Sequence, residues 1–254
     1  MTFKKFSSSV LLILTAILLA SCGLPAIKVT KNPYNPVRSI AVLPLYNATN
    51  DVDGPKVIRE LVDGRLRNYH YNVKPLKEVD ETLRDKFGIT LGSQLELTTP
   101  EKLGEELGVD AVLYGYLLNF ETLTTIVYNV KKVRAAFRLV DVKTGKTVWT
   151  GAKGVRAAVS MGGRNKGGAA VEALGESLDK DAGGDIFKTI PGLADIPGVN
   201  DWKKTQSRYQ KSAADAAILS LGEQLVTTAF RVYLRMESDE MLNIIMSSFP
   251  AGPL

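Results

Sequence analysis

Apolar and polar positions repeat with different periods along this chain, and each period predicts one kind of element. Residues 38–45 include a continuous apolar run, which is typical of a buried strand. After Pro55, apolar side chains recur every three or four positions, which predicts an amphipathic helix. A short strand around 71–75 and two further helices follow. The first of these helices ends at Gly88, and the second starts with Thr99 as its N-cap.

The second half of the chain changes to consecutive strands. Residues 111–118 form an apolar run, and residues 125–142 alternate, with basic side chains on one face and apolar side chains on the other. A turn at 143–146 leads into a return strand that begins at Thr147. This order predicts an α/β domain with α+β character. We expect a mixed sheet of βαβαα and then an antiparallel meander, with a C-terminal helix packed on the sheet.

Residues 151–200 interrupt the regular pattern of apolar positions. They hold about half of the 22 glycines in the chain, together with Pro191 and Pro197. Long segments of this kind are often either functional or unstructured. We interpret the segment as a mobile, Gly-rich surface insertion. The alternative is a segment that becomes ordered against a partner or the bilayer.

Two apolar segments close the chain. From about Gln206 to Val232, alanine and leucine recur at helical spacing and predict the final helix. Residues 241–249 then form a short apolar tail. This tail would either dock on its own domain or present a sticky end to another subunit.

The N-terminus carries its own pattern. Lys4 and Lys5 precede an apolar run at 10–20, which is shorter than the about 20 residues a membrane-spanning helix needs and is typical of a secretory signal. The following Leu-Ala-Ser-Cys resembles the lipobox of bacterial lipoproteins. We therefore predict a signal peptide at 1–21, cleavage between Ser21 and Cys22, and lipidation of Cys22. An ordinary signal peptide with a chance cysteine is the alternative.

The residues after the cysteine predict where the anchor is placed. In the best-known lipoprotein sorting scheme, Asp after the lipidated cysteine favours inner-membrane retention. By resemblance to that scheme, Gly23 favours the outer membrane, with the protein facing the periplasm. Three prolines lie within residues 22–37, which predicts a lipidated N-terminus and an extended tether. Residues 38–254 then form a single periplasmic domain.

Composition narrows the function further. The net charge is +5, and removal of Lys4 and Lys5 with the signal peptide leaves +3, so we expect no nucleic-acid partner. The chain has one cysteine and one histidine, His70, which is predicted to lie in a loop. One cysteine rules out an internal disulfide, and the two residues are too few for structural zinc. We expect no metal and no cofactor.

Candidate catalytic residues are few. The glycine clusters lack the Gly-Lys-Ser/Thr of a phosphate loop. Asp51 and Asp53 could serve a hydrolase, but a solvated turn before a helix explains them with fewer assumptions. Trp149 and Trp202 could stack on a ligand, although packing is the simpler interpretation for Trp149. We predict no catalytic site, and therefore that the protein is not an enzyme.

Three motifs together carry a resemblance to a known family. They are the Ile-Ala-Val-Leu-Pro strand at 40–44, the Gly-Val-Asp-Ala-Val-Leu-Tyr-Gly segment at 108–115, and the Asp-x-x-Thr-Gly-x-x-Val-Trp hairpin at 141–149. The chain resembles envelope lipoproteins of the broad group that includes the curli-secretion lipoprotein CsgG and the N-terminal domain of TolB. Within that group it is most similar to the lipoprotein family of the genome-derived neisserial antigen, over about residues 38–155 and the final helix.

The resemblance implies a periplasm-facing domain that assembles with other envelope lipoproteins or with copies of itself. On this basis the predicted function is a membrane-anchored accessory or assembly component of a cell-envelope or secretion-type complex. The alternative is a periplasmic ligand- or peptide-binding module that serves a transport system.

Overall fold

The computed structural model describes residues 29–124, 128–160, 190–206 and 234–254. The strands in these ranges are β1 (Ser39–Val42), β2 (Tyr46–Asn47), β3 (Asn72–Val73), β4 (Ala111–Thr124), β5 (Tyr128–Asp141), β6 (Thr147–Ser160) and β7 (Trp202–Gln206). The helices are α1 (Gly54–Asn68), α2 (Leu76–Phe87), a 3-10 helix (Gly92–Leu97), α3 (Pro100–Leu107) and α4 (Arg235–Met246). None of these helices has both the length and the apolar character needed to cross a bilayer.

The described strands form one mixed sheet in the order β3-β1-β4-β5-β6-β7, and β2 also pairs with β4. β1 pairs in parallel with β3 and with β4, and β2 also pairs in parallel with β4. β4, β5 and β6 form an antiparallel meander. β7 adds a parallel strand beside β6. The predicted fold class, a mixed sheet with helices, is confirmed.

Helices and turns cover both faces of the sheet. α1 and α4 contact each other and lie on one face, where α4 packs against β5 and β6. α2, α3, the 3-10 helix and the turns at 190–199 supply the apolar core on the other face. Because successive strand residues point to opposite faces, Phe137 lies in the first layer while its neighbour Ala136 lies in the second.

The interpretation of residues 151–200 as a mobile surface insertion is wrong at both described ends. Residues 151–160 continue β6, and the segment from residue 190 onward packs on the sheet. Its apolar side chains recur about every three residues and are buried: Ile190, Leu193, Ile196 and Val199. Burial of these side chains outweighs the glycine-rich composition. Residues 161–189 lie outside the described residues.

Other sequence predictions also need adjustment. β2 and the 3-10 helix have no counterpart in the predicted element order. Gln206, the predicted start of the last helix, ends β7, and residues 207–232 of that helix lie outside the described residues. The C-terminal helix that the structure shows packed on the sheet is α4, together with the apolar tail.

The apolar tail docks on its own domain, as one of the two alternatives predicted. Met241, Leu242, Ile245 and Met246 of α4 are buried against the sheet. Phe249 then inserts edge-on against Trp149, with ring centroids 4.6 Å apart, and against Tyr69 and Tyr71 at 5.8 and 5.9 Å. With Phe249 only 5% exposed, the tail is part of the core.

The N-terminal end of the domain is fastened to this tail. The backbone N–H of Asn32 donates to the carbonyl of Gly252 at 2.9 Å. The Asn35 amide donates to the Tyr71 hydroxyl and to the carbonyl of Ala251, both at 2.8 Å, and Val37 is buried. Residues 32–37, predicted to be tether, are therefore part of the folded domain, because these asparagines find partners on the tail.

Asp110 joins the start of β1 to the start of β4. Its Oδ2 accepts hydrogen bonds from the backbone N–H groups of Arg38 and Ser39, both at 2.9 Å, and from the Ser39 hydroxyl at 2.8 Å. Partial burial acts to raise the pKa of this carboxyl, but the hydrogen bonds outweigh it and the pKa is lowered overall. The charged form of Asp110 therefore stabilises the register of the two strands.

Asp110→Ala is expected to lower the free energy of unfolding by about 1 kcal/mol at neutral pH, because the donors lose a charged but accessible acceptor. Since the folded-state pKa lies below the unfolded value of about 4, this stabilisation is present above that value and is lost as the pH falls through the folded pKa. Urea unfolding at neutral pH and at about pH 2.5 measures the effect. A wild-type–variant difference that does not shrink in acid would contradict this role.

Candidate functional site

A cleft opens on the sheet face that carries α2 and α3, between the 3-10 helix and the turns at 190–199. Its floor is the sheet itself, at Tyr114 and Tyr116 of β4 and Arg138 of β5. The volume is about 210 Å³. The remaining lining residues are Tyr46, Gly92, Leu95, Glu96, Gly115, Pro191 and Gly192. We refer to this space as the Arg138 cleft.

Arg138 is the cation of the cleft, and its guanidinium contacts two tyrosines. It is directly opposite Tyr114 across the β4–β5 pair, with its guanidinium carbon 4.9 Å from the centroid of that ring. Its guanidinium also hydrogen-bonds the Tyr116 hydroxyl. The Nε atom is buried and has no hydrogen-bond acceptor among the described residues. No described carboxylate forms an ion pair with Arg138.

The two floor tyrosines are neutral donors. Burial raises the pKa of Tyr114 far above the usual value for a phenol, and burial also raises the pKa of Tyr116. Tyr116 donates its hydroxyl proton to the carbonyl of Pro191 at 3.3 Å. This bond joins the turns at 190–199, which form one wall of the cleft, to β4, which forms its floor.

Two glycines allow the walls to approach so closely. Gly192 has φ +74°, and a Cβ there would lie 2.8 Å from the Tyr116 hydroxyl and 3.0 Å from the Arg138 guanidinium. On the opposite wall, a Cβ at Gly92 would overlap the backbone of Leu45 and Tyr46. The 3-10 helix therefore rests directly on the backbone of Leu45 and Tyr46, and the absence of a side chain at Gly192 leaves room for the cleft.

The sequence-predicted site residues do not meet in this cleft. Ser21 and Cys22 lie outside the described residues, so cleavage and lipidation stay predictions. Asp51 accepts the backbone N–H groups of Asp53 and Gly54 at 3.0 and 2.6 Å, which confirms the interpretation of a turn ahead of a helix.

The remaining candidates have structural roles. His70 lies in a turn with φ +66°, as predicted for a loop residue. Trp149 packs on Phe249 and donates its indole N–H to Ser248 at 3.3 Å, so the packing interpretation is confirmed. Trp202 lies under the Arg134 guanidinium, 4.6 Å from its ring centroid. Within the described ranges, no three His, Cys, Asp or Glu side chains are grouped so as to hold a metal ion.

Sequence reasoning missed the Arg138 cleft, although it placed Arg138 on the basic face of its strand. The sequence pattern did not show how exposed that face is, and Lys132 and Arg134 on it are only 5% and 1% exposed. The alternation of residues in β5 was therefore a signal for two faces, but it did not show that both faces are covered. The covering turns at 190–199 come from a segment more than fifty residues away in the chain.

The described residues form an α/β domain with a small, partly polar cleft. A family model described as "Putative lipoprotein GNA1162-like" matches residues 31–180, which is more than half of the chain. The chain therefore belongs to the GNA1162-like lipoprotein family, and the predicted resemblance to the lipoprotein family of the genome-derived neisserial antigen is confirmed. The matched range includes the floor of the Arg138 cleft but not its wall at 190–192.

Individual proteins and solved structures are also similar to this chain. A protein of Neisseria meningitidis serogroup B, "Putative lipoprotein NMB1124/NMB1162", is 33% identical over 136 residues, covering 54% of this chain and 63% of the relative. The match thus spans less than two thirds of that relative. The crystal structure of lipoprotein GNA1162 from Neisseria meningitidis is 32% identical, covering 56% of this chain and 98% of that one, with a TM-score of 0.45. A PelC dodecamer from Paraburkholderia phytofirmans is 16% identical, covering 57% and 87%, with a TM-score of 0.33.

Proposed function

We propose that this protein is a lipid-anchored accessory or assembly component of a cell-envelope complex, held at the outer membrane and facing the periplasm. Membership in a lipoprotein family supports the anchor, which the lipobox assigns to Cys22. Gly23 supports the choice of membrane. Other envelope lipoproteins or further copies of this chain are the proposed partners.

The size of the Arg138 cleft is the observation that carries an assembly role. Sites for whole small molecules usually have volumes of about 300–1,000 Å³, whereas this cleft has about 210 Å³. A cleft of this size accommodates one side chain of a docked protein. The same comparison weakens the alternative of a ligand-delivery module, although the buried Arg138 donor would suit a peptide ligand.

The length of the tether supports a role close to the membrane. Cys22 and Asn32, where the chain first bonds to the tail of the domain, are ten residues apart in the sequence. Ten residues reach at most about 33–36 Å when fully extended. A lipidated Cys22 would therefore keep the cleft-bearing domain within reach of other proteins on the same membrane surface.

We propose no catalytic role for the domain. Asp51 of the acidic pair that might have served a hydrolase is engaged in a turn, since its carboxylate accepts the backbone N–H groups of Asp53 and Gly54. Arg138 and the floor tyrosines provide cation and hydrogen-bond donors but no nucleophile–base pair.

Site-specific photocrosslinking in intact cells tests this function. A benzophenone side chain at Leu97, which is 78% exposed and directly follows Glu96 on the cleft wall, is expected to capture an envelope protein or a second copy. The same probe at Val148, 51% exposed on the β5–β6 hairpin, serves as the control and should capture much less. Mass spectrometry of the conjugates identifies the partner.

The anchor is tested in the same cells. Cys22→Ser is expected to abolish the acyl mass, to release the protein from the membrane fraction and to remove the Leu97 conjugate, because one missing thioether eliminates the anchor. Equal conjugates at Leu97 and Val148, or a Leu97 conjugate that survives Cys22→Ser, would contradict an anchored assembly role.

A further inference from the structure

We propose that the Arg138 cleft is a receptor for a single carboxylate side chain, aspartate or glutamate, presented by a partner protein. This inference rests on the proposed assembly function and names the chemistry by which the partner is recognised.

Arg138 has a hydrogen-bond donor, Nε, that lacks an acceptor among the described residues. A buried charged donor normally has an acceptor, because removing it from water without a partner is unfavourable. Arg138 Nε is buried without an acceptor, and no described carboxylate pairs with the guanidinium. The Arg138 guanidinium stacks on the Tyr114 ring and donates a hydrogen bond to the Tyr116 hydroxyl. The guanidinium is therefore already oriented before any partner arrives.

The chemistry of a guanidinium decides the ligand class. Its planar set of N–H donors matches the two oxygens of a carboxylate in a bidentate pair. Tyrosine rings beside it supply apolar contact for the methylene groups of an acidic side chain. Tyr46 and Tyr116 form such a wall, with ring centroids 6.3 Å apart.

Charge and size favour a carboxylate over a phosphate. Arg138 is the only cation among the residues that line the described cleft, and Glu96 lines it as well. A single guanidinium balances one negative charge, and Glu96 adds repulsion, so the cleft suits a monoanion better than a dianion. The volume of about 210 Å³ admits one side chain rather than a lipid headgroup with its glycerol.

Glu96 is exposed on the 3-10 helix and lines the same cleft as Arg138. Its carboxylate repels an incoming anion at the cleft mouth. Glu96→Gln removes this charge at nearly constant shape, so it is expected to strengthen carboxylate binding by about threefold, a small fraction of a bidentate pair.

The test is an NMR titration of the mature lipoprotein in detergent micelles. The three probes are N-acetylglutamate amide, N-acetylglutamine amide and inorganic phosphate. The first two have nearly the same shape, but the side chain is a charged carboxylate in one and a neutral carboxamide in the other. The glutamate probe is expected to shift the Arg138 Nε–H resonance saturably, with an apparent Kd at least about tenfold lower than that of either other probe. Arg138→Lys identifies the resonance by its disappearance.

Variants keep the result decisive. Arg138→Lys should remove the saturable response at the Gly115 and Gly192 amides, whereas Arg84→Lys, a matched change on exposed α2, should leave the titration unchanged. Glu96→Gln tests the same site without touching Arg138, should Arg138→Lys not fold. A glutamine probe that acts as strongly as glutamate, tighter binding of phosphate, or no response in wild type and Glu96→Gln would overturn the proposal.

The outcomes are separable from the assembly role. A Leu97 crosslink without a glutamate response would leave an assembly protein that docks by other contacts. A glutamate response without any Leu97 crosslink would leave a carboxylate receptor with a different task in the envelope.

Discussion

Gly92→Ala is expected to lower the free energy of unfolding by about 2–3 kcal/mol, since overpacking of a close contact forces neighbouring segments apart. The added methyl group would overlap the backbone of Leu45 and Tyr46, which cannot move aside as a flexible side chain would. The 3-10 helix must shift instead, and it carries Leu95 and Glu96 on the wall of the Arg138 cleft. The variant should therefore lose both stability and the carboxylate response.

Gly64→Ala is the matched control for this prediction. Gly64 is exposed in the interior of α1, and a Cβ there meets no atom within 4 Å. Alanine at such a position is expected to raise the free energy of unfolding by about 0.5–1 kcal/mol through backbone entropy. Urea denaturation of both variants measures the pair. Equal effects of the same sign would show that the close contact at Gly92 does not hold the 3-10 helix.

Phe249→Ala is expected to destabilise the domain by about 3–4 kcal/mol, because a large buried ring is lost and the site can only partly collapse. The ring touches Tyr69, Tyr71 and Trp149, and the first two also hold the tail by hydrogen bonds. The Tyr69 hydroxyl donates to the carbonyl of Met246 at 2.7 Å, and the Tyr71 hydroxyl donates to that of Pro250 at 2.9 Å. Loss of the ring should therefore loosen the whole tail.

Met236→Ala provides the comparison within the same segment. Met236 lies on α4 but is 57% exposed, so its truncation is expected to change stability by less than about 0.5 kcal/mol. Calorimetric and urea unfolding of the two variants separate burial of the tail from a general sensitivity of α4. If Phe249→Ala behaved like Met236→Ala, the docking of the tail would contribute little to stability.

Residues 32–35 are hydrogen-bonded to the C-terminal tail, and this affects the proposed anchor. Burial raises the pKa of Tyr71 to about 12, although the Asn35 hydrogen bond acts to lower it, so this phenol stays protonated at physiological pH. The hydroxyl can then donate to the tail while it accepts from Asn35. Loosening the tail should therefore also release residues 32–37 and lengthen the effective tether of the domain.

Local signals in the sequence predicted several elements well. Thr99 accepts the backbone N–H of Lys102 at 3.5 Å at the start of α3, and Gly88 and Gly108 end α2 and α3 with φ of +67° and +64°. Such caps depend on a few neighbouring residues, so the sequence around them is sufficient to predict them. The same holds for the turn at 143–146 and for the alternation along β5.

Contacts between distant residues were not predictable in this way. β2 has only two residues, and its pairing with Tyr116 and Leu117 of β4 lacks any periodic signal. β7 pairs with residues 154–158 of β6 across a long intervening segment. A Cβ at Gly154 would overlap the Trp202 ring, so this glycine marks a close approach rather than a flexible insertion.

The sequence alone thus determined most of the longer strands and helices and the α/β class, and it supplied the prediction of a lipidated Cys22, because caps, periods and a lipobox each lie within a few consecutive residues. Only the tertiary structure decided that Arg138 is a half-buried, oriented cation whose Nε is buried in a cleft. The physical reason is that its burial comes from the turns at 190–199 and its position from Tyr114 and Tyr116, and the meeting of these segments depends on packing across the whole sheet.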